Sequence, residues 1–253
     1  YRIGETIIKN LETFNLKSKI LSKKNYVNQI KQTVDNAKKF SKAFALIVPM
    51  NFFEKYEKKK KSKSKNLLKR YEFLKFFLQN IDKKDVTISS LGNVSRELFV
   101  LNERFKRSHK KTLYTIGAMG HANQIGLSIS NKRKQKRTFI LDGDGSVQMH
   151  LGNILSIGKY SQGNLTHIIF NNGLHESTGS HNLVNKNFDY KNFLKLAGYS
   201  KVFQIDTLSE FRAILKKKIK GLNGIIINID SGTINNLPRP TKKPNQLKKF
   251  LEF

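Results

Sequence analysis

The sequence contains no cysteine and no tryptophan, and only four of its 253 residues are proline. Without cysteine, disulfide bonds and thiolate metal sites are excluded, and a cytoplasmic protein is expected. No apolar run approaches the roughly 20 residues that a membrane-spanning helix needs, and the first residues lack the apolar core of a signal peptide. We therefore expect no membrane partner.

Acidic residues are also scarce: 18 Asp and Glu stand against 48 Lys and Arg, a formal net charge of +30 at pH 7. Such an excess is typical of proteins that bind nucleic acid or another polyanion. The densest basic runs, 58–65, 104–111 and 132–137, carry no nucleic-acid-binding motif and no basic–aromatic stacking pattern. We therefore interpret the basic residues as a solvated surface rather than as a nucleic-acid-binding site. His109, inside the run 104–111, is expected to be exposed on that surface. A non-catalytic polyanion-binding protein is the alternative.

Alternating apolar runs and amphipathic segments predict an α/β fold. Helices are predicted over 5–15 and 26–40, followed by a strand over 43–49. Further along, strands are predicted over 85–92, 137–145, 164–173, 201–206 and 224–230, and helices over 67–81, 94–105, 120–132, 147–160, 188–199 and 208–220. Because these elements alternate with short connections, we expect a parallel sheet with helices on both faces.

A lysine-rich segment divides the chain. Residues 54–66 contain almost no apolar side chains, which is typical of an exposed linker, and we place this basic linker at 51–66. Residues 1–50 are too few for a domain and are interpreted as the C-terminal part of a second α/β domain. Residues 67–253 then form the main domain.

Polar side chains follow two predicted strands of this domain. Asp144 lies just past the strand "TFILD", and Asn172 lies just past "THIIF". Because parallel strands with a helical crossover end at the same edge of a sheet, we expect Asp144 and Asn172 to lie a few ångströms apart. A carboxylate and an amide oxygen suit Mg²⁺, which is usually held by one or two protein oxygens and substrate phosphates.

The residues around Asp144 fit a bound phosphate group. Gly143 and Gly145 allow a tight turn with free backbone amides. Ser146 opens the next helix, where N–H groups and the helix dipole favour an anion. A polar turn with a helix cap is the simpler explanation for Asp144 alone. The amide pair at this spacing favours a cation that holds a diphosphate.

The spacing Gly-Asp-Gly, about 25 residues, Asn-Asn resembles the signature of thiamine-diphosphate-dependent enzymes. Five stretches resemble the phosphonopyruvate decarboxylases of that family, and also their sister sulfopyruvate decarboxylases: 91–99, 116–130, 141–158, 171–179 and 236–244. The resemblance covers nearly the whole chain. It likens residues 1–50 to the end of a pyrimidine-binding domain and residues 67–253 to a diphosphate-binding domain.

The resemblance implies thiamine diphosphate and Mg²⁺ as cofactors. Asp144 and Asn172 match the family's side-chain metal ligands, and Leu174 matches the residue that offers its backbone carbonyl. Ser95 matches a residue near the diphosphate, whereas the adjacent Arg96 and Glu97 are interpreted as a pair on a helix face.

Further roles also follow from the resemblance. The Gly117 carbonyl accepts a hydrogen bond from the 4′-amino group of the cofactor, and Met119 is the apolar wedge that bends the cofactor. His121 and His175 match subfamily histidines, and a histidine can both transfer protons and tolerate an anion. An isolated methionine or histidine is more often structural, so core packing stays the alternative for each.

The implied reaction is decarboxylation of 3-phosphonopyruvate to phosphonoacetaldehyde and CO₂. Sulfopyruvate decarboxylation and acetolactate-synthase-like carboligation are the enzymatic alternatives. This chain departs from the family's usual Gly-Gly-Gln-Pro run at residues 179–182, close to the expected substrate loop. His181 in that loop and Arg239 in "LPRP" are the candidates for binding the substrate anion.

In the family, a glutamate of the pyrimidine-binding domain contacts N1′ of the cofactor. That glutamate lies upstream of anything that residues 1–50 match, so we expect these 253 residues to hold only the metal and diphosphate half of a site. The glutamate is expected from further residues or from another subunit. The resemblance thus implies a homo-oligomer or a separate pyrimidine-domain subunit.

Overall fold

The computed structural model describes residues 3–54, 67–217, 219–241 and 246. The chain divides into two compact units, Tyr1–Ser62 and Lys63–Phe253. Of the linker predicted at 51–66, residues 55–66 lie outside the described residues. Within the described residues, no helix combines the length and apolar character needed to cross a bilayer.

The described residues of the first unit form two helices and two short strands. In chain order they are α1 (Ile3–Thr13), β1 (Lys17–Ile20), α2 (Tyr26–Phe40) and β2 (Phe44–Ile47), and the two strands pair in parallel. The sequence did not predict β1, because its four residues are exposed and mostly polar. Gln29 of α2 fixes the end of this strand: its amide donates to the Ile20 carbonyl at 3.2 Å and accepts from the Ser22 N–H at 2.8 Å.

The second unit contains a six-stranded sheet of strand order β4-β3-β5-β6-β10-β9. Its elements are α3 (Arg70–Asn80), β3 (Val86–Ser89), α4 (Asn93–Arg104), β4 (Thr112–Tyr114), α5 (Ala122–Lys132), β5 (Arg137–Gly143), α6 (Asp144–Met149), α7 (Gly152–Tyr160), β6 (Asn164–Asn171), β7 (Leu174–His175), β8 (His181–Asn182), α8 (Tyr190–Leu196), β9 (Lys201–Ile205), α9 (Leu208–Lys216) and β10 (Leu222–Asn228). Every neighbouring pair in the six-stranded sheet is parallel. The predicted fold class is confirmed.

Each central strand contains an apolar run because both faces of the sheet are covered. On β5, Phe139 and Leu141 belong to one hydrophobic cluster while Ile140 belongs to the other. On β6, Phe170 and Ile169 divide in the same way. Successive side chains of a strand point to opposite faces, so a continuous apolar run is what a doubly covered strand requires.

The connections after β3 and β5 leave these neighbouring strands toward opposite faces. Leu98 and Phe99 of α4 pack in one cluster, and Val147 of α6 packs in the other. Where connections diverge in this way, a crevice opens at the carboxyl ends of the strands, which is where ligands bind in open α/β sheets.

Several features of the second unit differ from the sequence predictions. The three-residue strand β4 was missed. The helix predicted over 147–160 is two helices, because the chain leaves helical geometry at His150, with φ −140° and ψ 58°. His109 is not a surface residue: its side chain is 10% exposed, stacks on Phe99 and bonds to the Tyr114 hydroxyl at 2.7 Å.

Candidate functional site

A pocket opens at the carboxyl edge of the six-stranded sheet, where the segments following β3, β5 and β6 meet. Eight of the residues predicted for the site line this pocket: Met119, Gly143, Asp144, Gly145, Ser146, Asn172, Leu174 and His175. The first of these segments contributes Ser90, Leu91, Asn93 and Val94 as well. The topology therefore gathers most of the predicted residues at one place.

Asp144 is the first residue of α6 and is 3% exposed. One carboxylate oxygen accepts the N–H groups of Asn172 and Gly173, at 2.8 and 2.6 Å, and the other accepts the Gly145 N–H at 2.8 Å. Burial raises the pKa of Asp144, and the three backbone N–H groups oppose that shift without cancelling it. Asp144 thus ties the end of β6 to the start of α6.

Asn172 begins the turn between β6 and β7. Its side-chain oxygen accepts the Leu174 N–H at 2.9 Å, and Gly173 between them has φ +71°. The amide oxygen of Asn172 still has a lone pair for a cation after this bond. The turn leads into a short antiparallel pairing in which Leu174 faces Asn182 and His175 faces His181.

Met119 belongs to a turn that is held by hydrogen bonds to α6 and α7. The next residue, Gly120, donates its N–H to the buried Ser146 hydroxyl at 3.0 Å and accepts the Asn153 side-chain amide at 3.0 Å. Gly120 has φ +80°, and a Cβ there would lie 2.3 Å from the His150 ring. Only glycine suits this position, so Met119 is presented to the pocket by a rigid turn.

His175 packs directly over Gly145. A Cβ on Gly145 would lie 2.6 Å from Nδ1 of His175, so the absent side chain makes room for the imidazole. A Cβ on Gly143, in contrast, would meet nothing within 4 Å. The glycines on either side of Asp144 therefore have different roles.

The other predicted residues do not line the pocket. The buried Ser95 hydroxyl donates to the Ser90 carbonyl at 2.6 Å and also bonds to Ser89. Gly117 lies in the turn before Met119, at φ +69°. His121 is exposed and contacts His150, with ring centroids 4.4 Å apart and ring planes tilted by 36°. His181 and Arg239 are exposed.

Arg70 and Glu176 line the pocket although the sequence analysis missed both. Nε of Arg70 donates to Glu97 at 2.9 Å, and Nη1 donates to Glu176 at 2.6 Å. The interpretation of Arg96 and Glu97 as a pair was wrong, because the Glu97 side chain is directed into the protein toward Arg70. Glu176 lay inside the stretch 171–179, one of the five that resemble the family. Arg70 gave no signal in a helix already rich in basic residues.

The charges around the pocket fit a divalent cation. Of the described residues lining it, only Arg70 carries a permanent positive charge, and both of its carboxylate partners are already near. None of the ion pairs formed by described residues includes Asp144. In their ionised forms Asp144, Glu97 and Glu176 therefore exceed the local cations by two charges. Burying such an excess without a cation is costly.

The donor set indicates which kind of cation fits. Among the described residues, no group of three or more His, Cys, Asp or Glu side chains converges on one point. A metal at Asp144 would therefore be held by one carboxylate, an amide oxygen and main-chain carbonyls. That all-oxygen set suits Mg²⁺, which keeps water and phosphate oxygens as its remaining ligands, and does not suit Zn²⁺.

A sequence model of one family, described as "Thiamine pyrophosphate enzyme, C-terminal TPP binding domain", matches residues 92–229. The chain belongs to this family. The match runs from the start of α4 to just beyond β10 and includes every residue of the pocket segments after β5 and β6. Thiamine diphosphate, the cofactor predicted from the sequence, is confirmed, and Mg²⁺ is its usual partner metal.

Two relatives of this chain are named as decarboxylases. The chain is 29% identical to phosphonopyruvate decarboxylase of Streptomyces viridochromogenes over 187 residues, which are 73% of this chain and 46% of that protein. It is also 29% identical to the sulfopyruvate decarboxylase subunit beta of Methanocaldococcus jannaschii, over 60% of this chain and 77% of that one. The chain thus spans about half the length of the Streptomyces protein.

Solved structures agree on the fold. Benzoylformate decarboxylase from Polynucleobacter necessarius superposes with a TM-score of 0.55 at 16% identity, covering 79% of this chain and 43% of that one. At this identity the likeness concerns the fold alone. The predicted resemblance to the thiamine diphosphate-dependent decarboxylases is nevertheless confirmed by the family match and the two relatives together.

Proposed function

We propose that the chain provides the metal- and diphosphate-binding half of a 2-oxo acid decarboxylase that converts 3-phosphonopyruvate to phosphonoacetaldehyde and CO₂. The observation that carries this proposal is a buried carboxylate, Asp144, that lacks a cationic partner among the described residues and lies beside Asn172 in one pocket. The relative from Streptomyces viridochromogenes supports the substrate.

In this proposal Asp144, Asn172 and the Leu174 carbonyl hold Mg²⁺, which in turn holds the diphosphate. Gly143, Gly145 and Ser146 line the same part of the pocket, and the two glycines place no side chain in it. Because only Arg70 among the described lining residues has a permanent positive charge, the metal rather than basic side chains balances the phosphates. Ser95 supports the segment after β3 through its bond to Ser90.

Met119 forms an apolar support for the bound cofactor, on the rigid turn that also presents the Gly117 carbonyl to the 4′-amino group. Thiamine diphosphate, when bound, supplies the electron sink that a 2-oxo acid requires in order to lose CO₂. His175 lines the pocket and acts as the proton carrier at its imidazole nitrogen. Leu91, Val94 and Phe170 exclude water from the same wall.

The phosphonate end of the substrate requires cations or hydrogen-bond donors. We keep His121, His181 and Arg239 as the candidates for this second anionic group, and His121 has His150 as a neighbour. Charge-assisted hydrogen bonds contribute roughly 1.5–3 kcal/mol each. Two such bonds would favour phosphonopyruvate over pyruvate by about two to four powers of ten in kcat/KM.

We further propose that the pyrimidine-binding half of the site, with its activating glutamate, comes from further residues or from another subunit, and that residues 1–50 correspond to the end of such a domain. The relative from Methanocaldococcus jannaschii is named as a subunit beta, and this chain covers 77% of it. That relative also makes sulfopyruvate decarboxylation the second candidate reaction. A sulfonate offers similar oxygens with one charge fewer.

Binding separates the enzyme from the polyanion-binding alternative. Titration calorimetry of the 253-residue chain with thiamine diphosphate should show saturable binding that requires Mg²⁺ and is lost in EDTA. A polyanion-binding protein would instead bind the cofactor without metal, in competition with heparin.

Substrate choice is tested on the chain assembled with a pyrimidine-binding subunit. CO₂ and aldehyde should be followed with phosphonopyruvate, sulfopyruvate and pyruvate at matched concentrations. Phosphonopyruvate is expected first, and sulfopyruvate is its nearest competitor. Equal efficiency on pyruvate would overturn the substrate assignment while the cofactor assignment stands.

A further inference from the structure

Arg70 lies at the centre of a buried cluster next to the pocket. It is 4% exposed, and Nε and Nη2 donate to the two carboxylate oxygens of Glu97 at 2.9 and 3.3 Å. Nη1 donates to Glu176 at 2.6 Å, and Nη2 also donates to the Gly232 carbonyl at 3.3 Å. The second carboxylate oxygen of Glu176 accepts the Gly232 N–H. One guanidinium thus joins α3, α4, the turn after β7 and the segment after β10.

The arrangement argues against a role for Arg70 in binding substrate. Four of its five N–H donors are directed at Glu97, Glu176 and Gly232, so little capacity is left for a ligand. Burial disfavours the charged guanidinium, but the two carboxylates more than offset it, and the pKa of Arg70 lies above its usual value. The side chain is therefore a permanent counter-ion inside the protein.

Glu176 is the residue through which this cluster reaches the site. It follows Leu174 by two positions, on the segment whose beginning is held by the bonds from Asn172 and Gly173 to Asp144. Its carboxylate is the only link between Arg70 and that segment among the described hydrogen bonds. The segment 172–176 is thus fixed at one end by Asp144 and at the other by Arg70.

We propose that Arg70 is a positioning residue: by holding Glu176 against α4 and the Gly232 segment, it sets the place of the Asn172 and Leu174 oxygens. The role rests on the proposed function, in which those oxygens bind Mg²⁺. Removing Arg70 would leave two buried carboxylates near Asp144 without their counter-ion, and mutual repulsion would displace the segment.

The test compares Glu176→Ala, Glu176→Gln and Arg70→Lys in the full chain. Supporting groups behind metal ligands typically change metal affinity by about 10–100-fold, and we expect that loss of Mg²⁺-dependent thiamine diphosphate affinity for Glu176→Ala. Glu176→Gln keeps a neutral acceptor with about half the bond strength, so its loss should be only about 3–10-fold. Arg70→Lys should resemble Glu176→Ala, because an ammonium cannot reproduce the fork that spans both carboxylates.

The matched control is Arg137→Lys, which alters another arginine with a two-bond carboxylate partner, Asp85, at the opposite edge of the sheet. Hydrogen exchange of the unliganded chain is the second measurement. Glu176→Ala should accelerate exchange in residues 172–178 by at least about tenfold and leave β5 unchanged, whereas Arg137→Lys should leave 172–178 unchanged.

The proposal is overturned if Glu176→Ala keeps cofactor affinity within twofold of the original chain, or if its exchange in 172–178 does not differ from that of the Arg137→Lys control. Should the unaltered chain fail to bind thiamine diphosphate with Mg²⁺, the proposed function falls. The exchange comparison then decides by itself whether Arg70 and Glu176 hold the segment. Both conclusions can be reached from the Glu176 variants even if Arg70→Lys does not fold.

Discussion

A buried aspartate lies at each end of the strands of the six-stranded sheet, and the two differ in their partners. We call the side where the strands begin the amino edge and the side where they end the carboxyl edge. At the amino edge, Asp85 is 7% exposed and pairs with Arg137 at 2.6 Å, in a cavity that Lys84, Lys136 and Lys220 also line. At the carboxyl edge, Asp144 is similarly buried but accepts only backbone N–H groups. The chain has 48 basic residues, yet Asp144 forms no ion pair among the described residues, which supports the proposed cation site.

The largest expected difference between the edges concerns these two aspartates. Asp144→Ala should reduce Mg²⁺-dependent thiamine diphosphate affinity by more than about 100-fold, because a direct ligand exceeds the 10–100-fold effect of supporting groups. Asp85→Ala should leave that affinity unchanged and lower the free energy of unfolding. Calorimetry and urea denaturation of both variants check this. Equal cofactor affinity for Asp144→Ala and the original chain would refute the metal assignment.

Histidines extend the comparison. His175 at the carboxyl edge lines the pocket, so His175→Ala should lower turnover by about 10²-fold or more, the usual contribution of a proton carrier. His109 at the amino edge stacks on Phe99 and hydrogen-bonds to the Tyr114 hydroxyl. His109→Ala should therefore lower the free energy of unfolding by roughly 1–2 kcal/mol and leave turnover per folded molecule unchanged. Turnover is measured on the assembled enzyme, and stability by urea denaturation. A catalytic defect in His109→Ala that matches His175→Ala would remove the distinction.

Glycines give a smaller effect of the same kind. Gly145→Ala places a methyl group 2.6 Å from Nδ1 of His175. We expect cofactor affinity to fall about tenfold, which corresponds to about 1.4 kcal/mol. Gly163→Ala at the amino edge places one 2.4 Å from the Ser130 carbonyl, which should cost about 1–3 kcal/mol of stability without changing affinity per folded molecule. Gly152→Ala in the exposed start of α7, where a Cβ meets nothing within 4 Å and which does not line the pocket, is the neutral control.

The smallest effect is expected from the exposed lysines before β5. Replacing Lys132, Lys134 and Lys136 by Gln removes three of the positive charges near the amino edge. Cofactor affinity should stay within twofold in 150 mM salt, where the Debye length is about 8 Å and distant charges are screened. Retention on heparin should fall. A parallel loss of cofactor and heparin binding would favour the polyanion-binding alternative.

The strands that carry the site could be predicted because their residues are buried on both faces. Each contains an apolar run, 139–141 in β5 and 168–170 in β6, and these two strands lie at the centre of the sheet. Polar residues at their ends then had to lie together. In contrast, β1 has the sequence KSKI with all four side chains exposed, and no local pattern marks it as a strand.

The cluster around Arg70 could not be predicted for a different reason. Arg70 and Glu176 are 106 positions apart, and each looks like an ordinary charged residue in its own segment. Among the Lys and Arg residues whose burial is described, only Arg70 is buried, and burial is decided by the complete fold. The break between α6 and α7 was hidden in the same way, since the apolar period continues through His150.

The Arg70 cluster also sets an order of events during synthesis. Arg70 and Gly232, which it contacts, are separated by 162 positions. At a translation rate of about 5–20 residues per second, Gly232 leaves the ribosome roughly 8–32 s after Arg70. During that interval Arg70 and Glu97 have been synthesised, but the segment containing Gly232, which completes their contacts, has not yet left the ribosome. The contacts that hold Glu176 beside the pocket therefore cannot be completed until Gly232 has left the ribosome.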